Sequence, residues 1–562
     1  MRKIAEARSS FIFPGILFLL TCNVSVQAVP FAPDAGQTSQ ELQEQPEIVP
    51  QESPEVLQPE RDSAQERRAD DLVHFSVTAI RVSGSSIFSA DELEALVSDM
   101  VGSERTLAEL EAAAGQITAH YRSRGYLVAR AYLPAQEIKD GVVRIDVLEG
   151  KLGEQRINNL SRLSDEQVYG YLGSIRRGEA LQVKTADRAL LLLNDTPGVG
   201  SAKATLQPGA SVGTSDLVVE LTPAAPYSVK AELDNYGNRY TGETRLGAGI
   251  ALNSPLRVGD QVSLNALTTD QHLSYVRIAY QLPVGNDGVR LGAAYSSTRY
   301  RLGKEFSGLQ ASGNVRNAGL YAMYPVIRSQ VTNLSVIATW ERKKLNDSTD
   351  VPVTSSEKQL QLTNVGIAGN HQDAWGRGGI TSFDLSWTTG KLDMDAISLA
   401  ADLSSAKSNG SYTLLNYSIK RLQRLTATNA LWLALSRQQA SKNLNSSEKL
   451  YLGGAQSVRA YPQGEVSGDQ GYLVNIELRH DHAFGMQGVI FYDFGAVKIN
   501  KNAYIVSAEN SRLLAGAGIG VNANVGGIQV KASLAWRTRG GEPTSVTSTR
   551  NPRLWLLAGK QF

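Results

Sequence analysis

The final third of the chain consists of short segments in which apolar and polar residues alternate. In residues 528–536, for example, Ile528, Val530 and Trp536 share one face of a strand. Gln529 and Lys531 share the other face. Because successive side chains of a β-strand point to opposite sides, each segment separates an apolar surface from a polar one. The pattern predicts strands with an apolar medium on one side and water on the other.

Sixteen segments of this kind follow one another after Pro226, and no run of eighteen apolar residues occurs in the sequence. A helical membrane protein is therefore excluded, because a helix needs about twenty apolar residues to cross a bilayer. An even number of antiparallel strands suits an outer-membrane barrel, whose closure leaves no unpaired edge in lipid. The predicted strands are residues 227–235, 244–253, 260–269, 273–283, 289–300, 317–327, 333–345, 359–370, 378–390, 411–423, 427–439, 471–481, 487–497, 511–522, 527–537 and 553–562. Residues 225–562 are thus predicted to form a membrane all-β domain, a 16-stranded transmembrane antiparallel β-barrel around a watery lumen.

The first residues have the form of an export signal. Basic residues precede the apolar run 11–20, and residues 26–28 resemble a cleavage site, so residues 1–28 are predicted to be a signal peptide. An uncleaved anchor helix and lipid attachment at Cys22 are the alternatives. Removal of three basic residues and one acidic residue with the signal peptide changes the formal charge from +1 to −1. Such a chain has no broad basic surface for nucleic acid.

Residues 29–73 are rich in Pro, Gln, Glu and Ser, a composition that buries little apolar surface. We predict a tether in this region, with short helices at 38–45 and 60–71 or, alternatively, a disordered spacer. The sequence leaves open whether the first of these helices plugs the pore of the barrel, and Pro46 would keep that helix short.

Two successive α+β units are predicted between the tether and the barrel, at residues 74–150 and 151–224. Capping residues mark the starts of helices in both units, such as Thr106 with Glu109 in the first. The order of elements is β-α-α-β-β in each unit. The predicted elements are strand 75–82, helices 90–100 and 107–124 and strands 127–133 and 142–148, then strand 155–158, helices 164–172 and 184–194 and strands 199–206 and 216–221.

Residues 124–136, with the sequence RGYLVARAYLPAQ, are followed by Gly141 and by a strand that ends in Leu148-Glu149-Gly150. This stretch resembles the first polypeptide-transport-associated (POTRA) domain of two-partner secretion transporters, the haemolysin secretion/activation type of the outer-membrane assembly superfamily. The whole predicted plan resembles that family: a tether, two POTRA domains, sixteen strands and a terminal Phe562. The resemblance implies a transporter in the outer membrane of a Gram-negative bacterium, with its POTRA domains in the periplasm.

The long segment between the eleventh and twelfth strands, residues 440–470, carries a second resemblance. Its residues Val458, Arg459, Ala460 and Tyr461 resemble the Val-Arg-Gly-Tyr motif at the tip of a loop in the superfamily. Ala460 stands where glycine is usual, which suggests that the tip needs no positive φ. The family pattern implies that this loop folds into the barrel.

A third resemblance lies on the thirteenth strand, where Phe491, Asp493 and Gly495 match the Phe-x-Asp-x-Gly motif of the superfamily. The resemblance implies that Arg459 meets Asp493 inside the barrel. Alternation agrees with this pairing, since it places Asp493 in the lumen and Tyr492 towards lipid. A guanidinium can grip a carboxylate by two parallel hydrogen bonds, so the pair would fasten the loop to the wall.

The twelfth strand supplies further polar residues to the lumen by the same alternation, namely Asn475, Glu477 and Arg479. The alternative is that Arg459 is a solvated loop residue and that Asp493 is an ordinary charge of the lumen.

Client capture is expected in the second α+β unit, because the exposed edge of a small sheet beside a helix can accept an extended chain as an added strand. The candidate residues belong to its strand 199–206 and its helix 164–172. They are Val168, Leu172, Val199, Ala202, Ala204 and Leu206. The alternative is that the two units only support the barrel.

The function that these features predict is passive protein translocation. The family resemblance implies an unfolded exoprotein as client, an adhesin or haemolysin with an N-terminal secretion domain. It also implies outer-membrane lipid and the barrel assembly machinery as partners, with Phe562 as the terminal assembly signal. We expect no enzymatic activity, catalytic residue, metal, cofactor, nucleotide or nucleic acid. The alternatives are a factor that assembles other barrels, a solute channel and an outer-membrane enzyme.

Overall fold

The computed structural model describes residues 32–42, 57–58, 74–505, 509–547 and 549–562 of the chain. The predicted signal peptide and the predicted helix 60–71 lie outside these residues. In the part of the chain that the structure describes, no helix is both long enough and apolar enough to cross a bilayer.

The tether contributes a short helix, α1 (Ala35–Glu41), and a two-residue strand, β1 (Leu57–Gln58). The prediction of a helix at 38–45 was wrong in its start. Helix α1 begins at Ala35 because the Asp34 side chain accepts a hydrogen bond from the backbone N–H of Gln37, 2.9 Å away, and so caps the first turn.

The first α+β unit has five strands where the sequence predicts three, because the first predicted strand is divided in two and β4 is additional. Its elements are β2 (His74–Val77), β3 (Ala79–Ser83), α2 (Ala90–Ala95), β4 (Ser103–Thr106), α3 (Leu107–Ser123), β5 (Arg130–Tyr132) and β6 (Val142–Leu148). The predicted strand 75–82 is broken at Thr78, where two successive backbone N–H groups donate to the carbonyl of Gly141. The predicted strand 127–133 starts only at Arg130, because a turn bond from Ala129 to Tyr126 precedes it.

Glu149 organises the end of this unit from a buried position, where it is only 5% exposed. Its carboxylate accepts hydrogen bonds from the backbone N–H groups of Ser86 (2.6 Å) and Ile87 (2.8 Å) and from the Tyr121 hydroxyl (3.1 Å). Burial opposes ionisation, but the bonds from Ser86, Ile87 and Tyr121 outweigh it and lower the pKa of Glu149. Burial likewise raises the pKa of Tyr121 to about 12.

The second α+β unit repeats the predicted order. Its elements are β7 (Lys151–Asn159), α4 (Asp165–Leu172), α5 (Val183–Asn194), β8 (Val199–Pro208) and β9 (Thr214–Pro223). Strand β9 is central, with β7 parallel to it on one side and β8 antiparallel on the other. The tether strand β1 pairs with the outer edge of β8, Leu57 opposite Ala204, and so adds a fourth strand to this sheet.

All sixteen predicted barrel strands are present and form one closed antiparallel barrel. The first nine barrel strands are β10 (Tyr227–Asp234), β11 (Arg245–Asn253), β12 (Gln261–Thr269), β13 (Ser274–Val284), β14 (Val289–Arg301), β15 (Ser312–Arg328), β16 (Thr332–Asp350), β17 (Val353–Asp373) and β18 (Gly379–Met394). Helix α6 (Ala396–Leu403) precedes β19 (Gly410–Arg424) and β20 (Asn429–Ala440), and two short strands, β21 (Leu450–Leu452) and β22 (Val466–Gly468), lie in the loop that follows. The last five barrel strands are β23 (Gln470–Asp481), β24 (Met486–Lys498), β25 (Ser511–Val525), β26 (Ile528–Arg539) and β27 (Arg553–Gln561). Closure comes from β10, which pairs with β27.

Strands β16 and β17 are longer than predicted, with 19 and 21 residues. A strand needs about ten residues to cross the membrane, so this hairpin extends well beyond the bilayer. Sequence alternation missed the extension because its residues, such as Asn346 to Asp350, are polar on both faces and the apolar periodicity disappears.

The second α+β unit rests directly on the turns at one end of the barrel. Arg328 at the end of β15 forms two parallel hydrogen bonds to the Asp195 carboxylate, 2.7 and 2.8 Å long. Arg188 of α5 donates to the carbonyl of Pro325 at 2.8 Å, and Gln330 donates to Asp187. This end of the barrel is therefore the one that meets the second α+β unit, and the β16–β17 hairpin projects from the opposite end.

Substitution Glu149→Gln should destabilise the first unit by about 2 kcal/mol at pH 7, because it removes bonds to a charged acceptor. The folded pKa of Glu149 lies below its unfolded value of about 4.3. The stabilising contribution is therefore complete above the unfolded pKa and is lost as the pH falls through the folded pKa. Urea unfolding of the α+β units, followed by circular dichroism while the barrel remains folded, should show the difference between wild type and variant shrinking from pH 7 to pH 3. A difference independent of pH would contradict the assignment.

Candidate functional site

The loop between β20 and β23, residues 441–469, folds into the barrel and carries the strands β21 and β22. The sequence predicted no elements within this loop. Three residues of its tip, Val458, Ala460 and Tyr461, are almost completely buried. The Tyr461 hydroxyl lies 2.7 Å from the carbonyl oxygen of Arg539, to which it donates. The tip is therefore packed against the inner wall.

Arg459 and Asp493 meet at this position, and we call their contact the loop clamp. The Arg459 side chain donates from Nε to one Asp493 oxygen at 2.8 Å and from Nη2 to the other at 2.7 Å. The Arg459 backbone N–H donates to the same carboxylate at 3.2 Å. Asp493 is fully buried, with 0% of its surface exposed. Paired geometry of this kind gives strong and directional hydrogen bonds.

Three further groups hold the arginine. Its Nη1 donates to Glu477 at 2.8 Å, and its guanidinium carbon lies 3.4 Å from the centre of the Phe491 ring. Trp555 donates from its indole N–H to the Arg459 carbonyl at 2.7 Å. Sequence reasoning missed Trp555. The sequence feature that could have indicated Trp555 is a tryptophan on the inward face of the last strand, the same face as Arg553.

The lumen residues predicted on β23 lie around the clamp. Asn475 donates to Asp493 at 2.8 Å and to the carbonyl of Ser457 at 3.0 Å. Glu477 accepts from Arg459 and also from Arg479, whose Nε lies 2.9 Å away. The structure thus brings together residues that are far apart in the sequence, in one network of charge-assisted hydrogen bonds.

Small residues allow the tip to approach the wall closely. A Cβ on Gly516 would lie 2.3 Å from the Cβ of Ala460, and one on Gly495 would lie 3.0 Å from a methyl carbon of Leu452 in the loop strand β21. Ala460 is not among the residues that adopt a positive φ in the structure. The close approach that glycine permits is therefore supplied by the wall at Gly516 and not by position 460.

Helix α1 lies inside the lumen, against the same loop. Asp34 accepts from the Ser446 hydroxyl at 2.7 Å, and the backbone N–H of Ala35 donates to Asp347 of β16 at 2.8 Å. A Cβ on Gly36 would lie 2.2 Å from the Ser446 Oγ, so only glycine fits this contact. Asn238 donates to Glu41 at 3.1 Å. The helix is thus held by the loop on one side and by the wall on the other.

A cluster of buried apolar side chains lies in the lumen around Ala35. Leucines from four strands pack there with Ala35, so the predicted watery lumen is apolar at this place. The leucines are Leu345, Leu360, Leu392 and Leu414. Because these side chains lose contact with water when the helix is in place, burial of apolar surface favours the closed arrangement.

The six candidate client-binding residues lie elsewhere, in the second α+β unit. All six side chains are buried in its core: Val168, Leu172, Val199, Ala202, Ala204 and Leu206. Only the backbone of β8 reaches the edge, and part of that edge is occupied. The Asn194 side chain accepts from the N–H of Ala202 at 2.6 Å and donates to its carbonyl at 3.0 Å.

The terminal Phe562 completes the seam of the barrel. Its backbone N–H donates to the carbonyl of Val229 at 2.8 Å, while its side chain is 68% exposed and lies beside Lys560. Among the residues with described positions, no group of three His, Cys, Asp or Glu side chains is arranged to hold a metal ion.

Comparisons with known proteins agree with this architecture. A family model described as haemolysin secretion/activation protein ShlB/FhaC/HecB matches residues 213–523, which is more than half of the chain, and one for the ShlB-type POTRA domain matches residues 75–150. The heme/hemopexin transporter protein HuxB of Haemophilus influenzae (strain 86-028NP) is 31% identical over 94% of this chain and 95% of its own. The outer membrane transporter CdiB of Dickeya dadantii is 25% identical over 72% of both chains. The structure of CdiB from Escherichia coli, 20% identical, covers 94% of this chain and 95% of its own with a TM-score of 0.71 and shows the same fold. The chain therefore belongs to the haemolysin secretion/activation family, the outer-membrane transporters of two-partner secretion.

Proposed function

We propose that this protein captures an unfolded exoprotein in the periplasm and threads it through its barrel to the cell surface. The observation that carries the proposal is the content of the lumen: helix α1 and the clamped loop occupy it, and the second of two α+β units contacts the barrel at one end. A solute channel would have no use for a docked pair of such units, and their number is small for a barrel assembly factor. We assign both units as POTRA domains.

Client capture is assigned to the backbone edge of β8. An extended client segment would add as a strand beside Ala204, where β1 of the tether lies in the structure. Recognition through the backbone suits an unfolded client, because it depends little on the sequence of that client. The exoprotein would present this segment from its N-terminal secretion domain.

Passage of a client requires helix α1 to leave the lumen, since the helix and a polypeptide cannot share the same space. We propose that the loop shifts with it. The contacts that break are the packing of Ala35 in its leucine cluster and a few hydrogen bonds, such as those of Asp34 with Ser446 and of Asn238 with Glu41. Each hydrogen bond contributes about 1 kcal/mol or somewhat more, which binding and folding of a client can offset. The transport step therefore needs no catalytic residue or nucleotide, and we infer that folding of the client outside the cell drives it.

Two further partners belong to this proposal. The exposed apolar residues of the outer wall contact outer-membrane lipid, and Phe562 at the seam is recognised by the barrel assembly machinery during insertion.

Substitutions Arg459→Ala and Asp493→Ala should each lower export of the exoprotein at least about tenfold while the barrel stays inserted. The reason is that Arg459→Ala leaves the buried Asp493 without its cation, whereas Asp493→Ala takes the bidentate acceptor from Arg459 and leaves it only Glu477. Export is measured as client in the medium relative to total client, and insertion as the heat-dependent shift of the barrel on gels.

The control is Arg437→Ala, which removes an exposed arginine from strand β20 without touching the clamp. It should leave export unchanged. Normal export by both clamp variants would refute the proposed role of the loop.

The location of client capture can be tested with a photoreactive residue at Lys203 or at Asn158. Both positions are exposed and lie beside Glu220 of the central strand, Lys203 on the edge strand β8 and Asn158 on β7. Strand addition at β8 predicts at least about fivefold more cross-linked client at position 203. Equal cross-linking at the two positions, or more at Asn158, would place the client elsewhere.

A further inference from the structure

Five basic side chains form a patch on the outer wall of the barrel. They lie on the adjacent strands β14, β15 and β16 and are all exposed: Arg299, Arg301, Arg316, Arg342 and Lys344. None of them forms an ion pair or side-chain hydrogen bond within the described part of the chain. Register shows that they share the outward face, since Arg316 lies opposite Lys344 and Arg299 lies opposite Asn314.

The patch stands at the outer boundary of the membrane. Its residues lie ten to twelve positions beyond the ends of these strands that face the second α+β unit. Strands of that length tilted by about 40° rise about 26 to 31 Å, slightly more than the apolar band of an outer-membrane barrel. The outward residues just below the patch are large and apolar: Tyr295, Leu320 and Trp340. Such a row of aromatic and apolar residues marks the interface between lipid tails and headgroups.

The uncompensated positive charge of the patch favours binding of an anion from outside the chain. Arg316 and Lys344 are directly opposite each other in the sheet, and like charges in such pairs are destabilising. Nearby Lys391 of β18 is different, because it pairs with Asp393 at 3.1 Å. The patch therefore lacks an acidic partner of the kind that Asp393 provides for Lys391.

A depression of about 630 Å³ opens within the patch and offers a second kind of contact. It is lined by Arg299, Arg301, Arg316, Asn314, Asn346 and Glu357, among others. The side-chain oxygen of Asn346 is buried without a hydrogen-bond partner. Asp347 also borders the depression, but its carboxylate accepts from Ala35 and from the Tyr300 hydroxyl. Three arginines thus stand beside one free acid, Glu357.

We propose that this patch binds a phosphorylated glycolipid of the outer leaflet, one molecule of the lipid A type. Arginine and lysine would contact the phosphates, and the buried oxygen of Asn346 would accept from a sugar hydroxyl or amide. The acyl chains would run down the wall over Leu320 and Trp340. A free anion would use the arginines alone, whereas the position above the apolar row and the hydrogen-bond acceptors of the depression favour a lipid that carries sugar and phosphate together.

The test uses the full-length protein in detergent and native mass spectrometry with hexa-acylated lipid A bearing two phosphates. The variant Arg316→Gln with Lys344→Gln should bind this lipid about 30-fold more weakly than wild type, because two charges are lost. The control Lys391→Gln should bind within about twofold of wild type. If the double variant does not fold, the single variant Arg299→Gln replaces it and should weaken lipid binding about fivefold.

Two comparison ligands decide what is recognised. Lipid A without phosphates should bind wild type at least about tenfold more weakly, and inorganic phosphate at the same concentration should not displace the lipid. Equal binding of wild type and the folded charge variants would overturn the proposal. So would equal affinity for dephosphorylated lipid A, or displacement by inorganic phosphate.

Discussion

The arrangement of the lumen depends on one buried carboxylate. Asp493 projects from β24 into a position with no exposure to water, where an unpaired charge would be strongly unfavourable. Arg459 supplies the opposite charge through two parallel hydrogen bonds, and Asn475 satisfies a further lone pair. Because the arginine also needs Glu477, the network is stable only when every member is in place. This requirement fixes the tip of a loop that begins almost twenty residues earlier.

The position of the plug helix follows from the position of the loop. Ser446 near the start of the loop bonds to Asp34, and the leucine cluster of the lumen closes around Ala35. The same tether that provides α1 also provides β1 at the edge of β8. One segment of chain thus occupies both the pore and the edge to which client capture is assigned. In this arrangement, a client that took the edge would act on the segment that carries the plug.

The sequence predicted the architecture well because its physical signal is strong. Alternation across a membrane located all sixteen strands, and motif resemblance indicated the contact of Arg459 with Asp493. Other features have no local signal. The extension of the β16–β17 hairpin is polar on both faces, β1 is too short for any periodicity, and Trp555 joins the clamp only through the closure of the barrel. The six apolar residues of the second unit were proposed as client-binding residues, but their side chains form its core and leave only backbone at the edge.

The central claim is that the lumen is closed by the loop and helix α1 together and opens for a client only when the helix leaves. A disulfide between cysteines at Asp34 and Ser446, whose side chains are in contact at 2.7 Å, tests this most directly. The account predicts that export stops when the disulfide is formed and resumes when it is reduced. Undiminished export by the fully oxidised protein would contradict it.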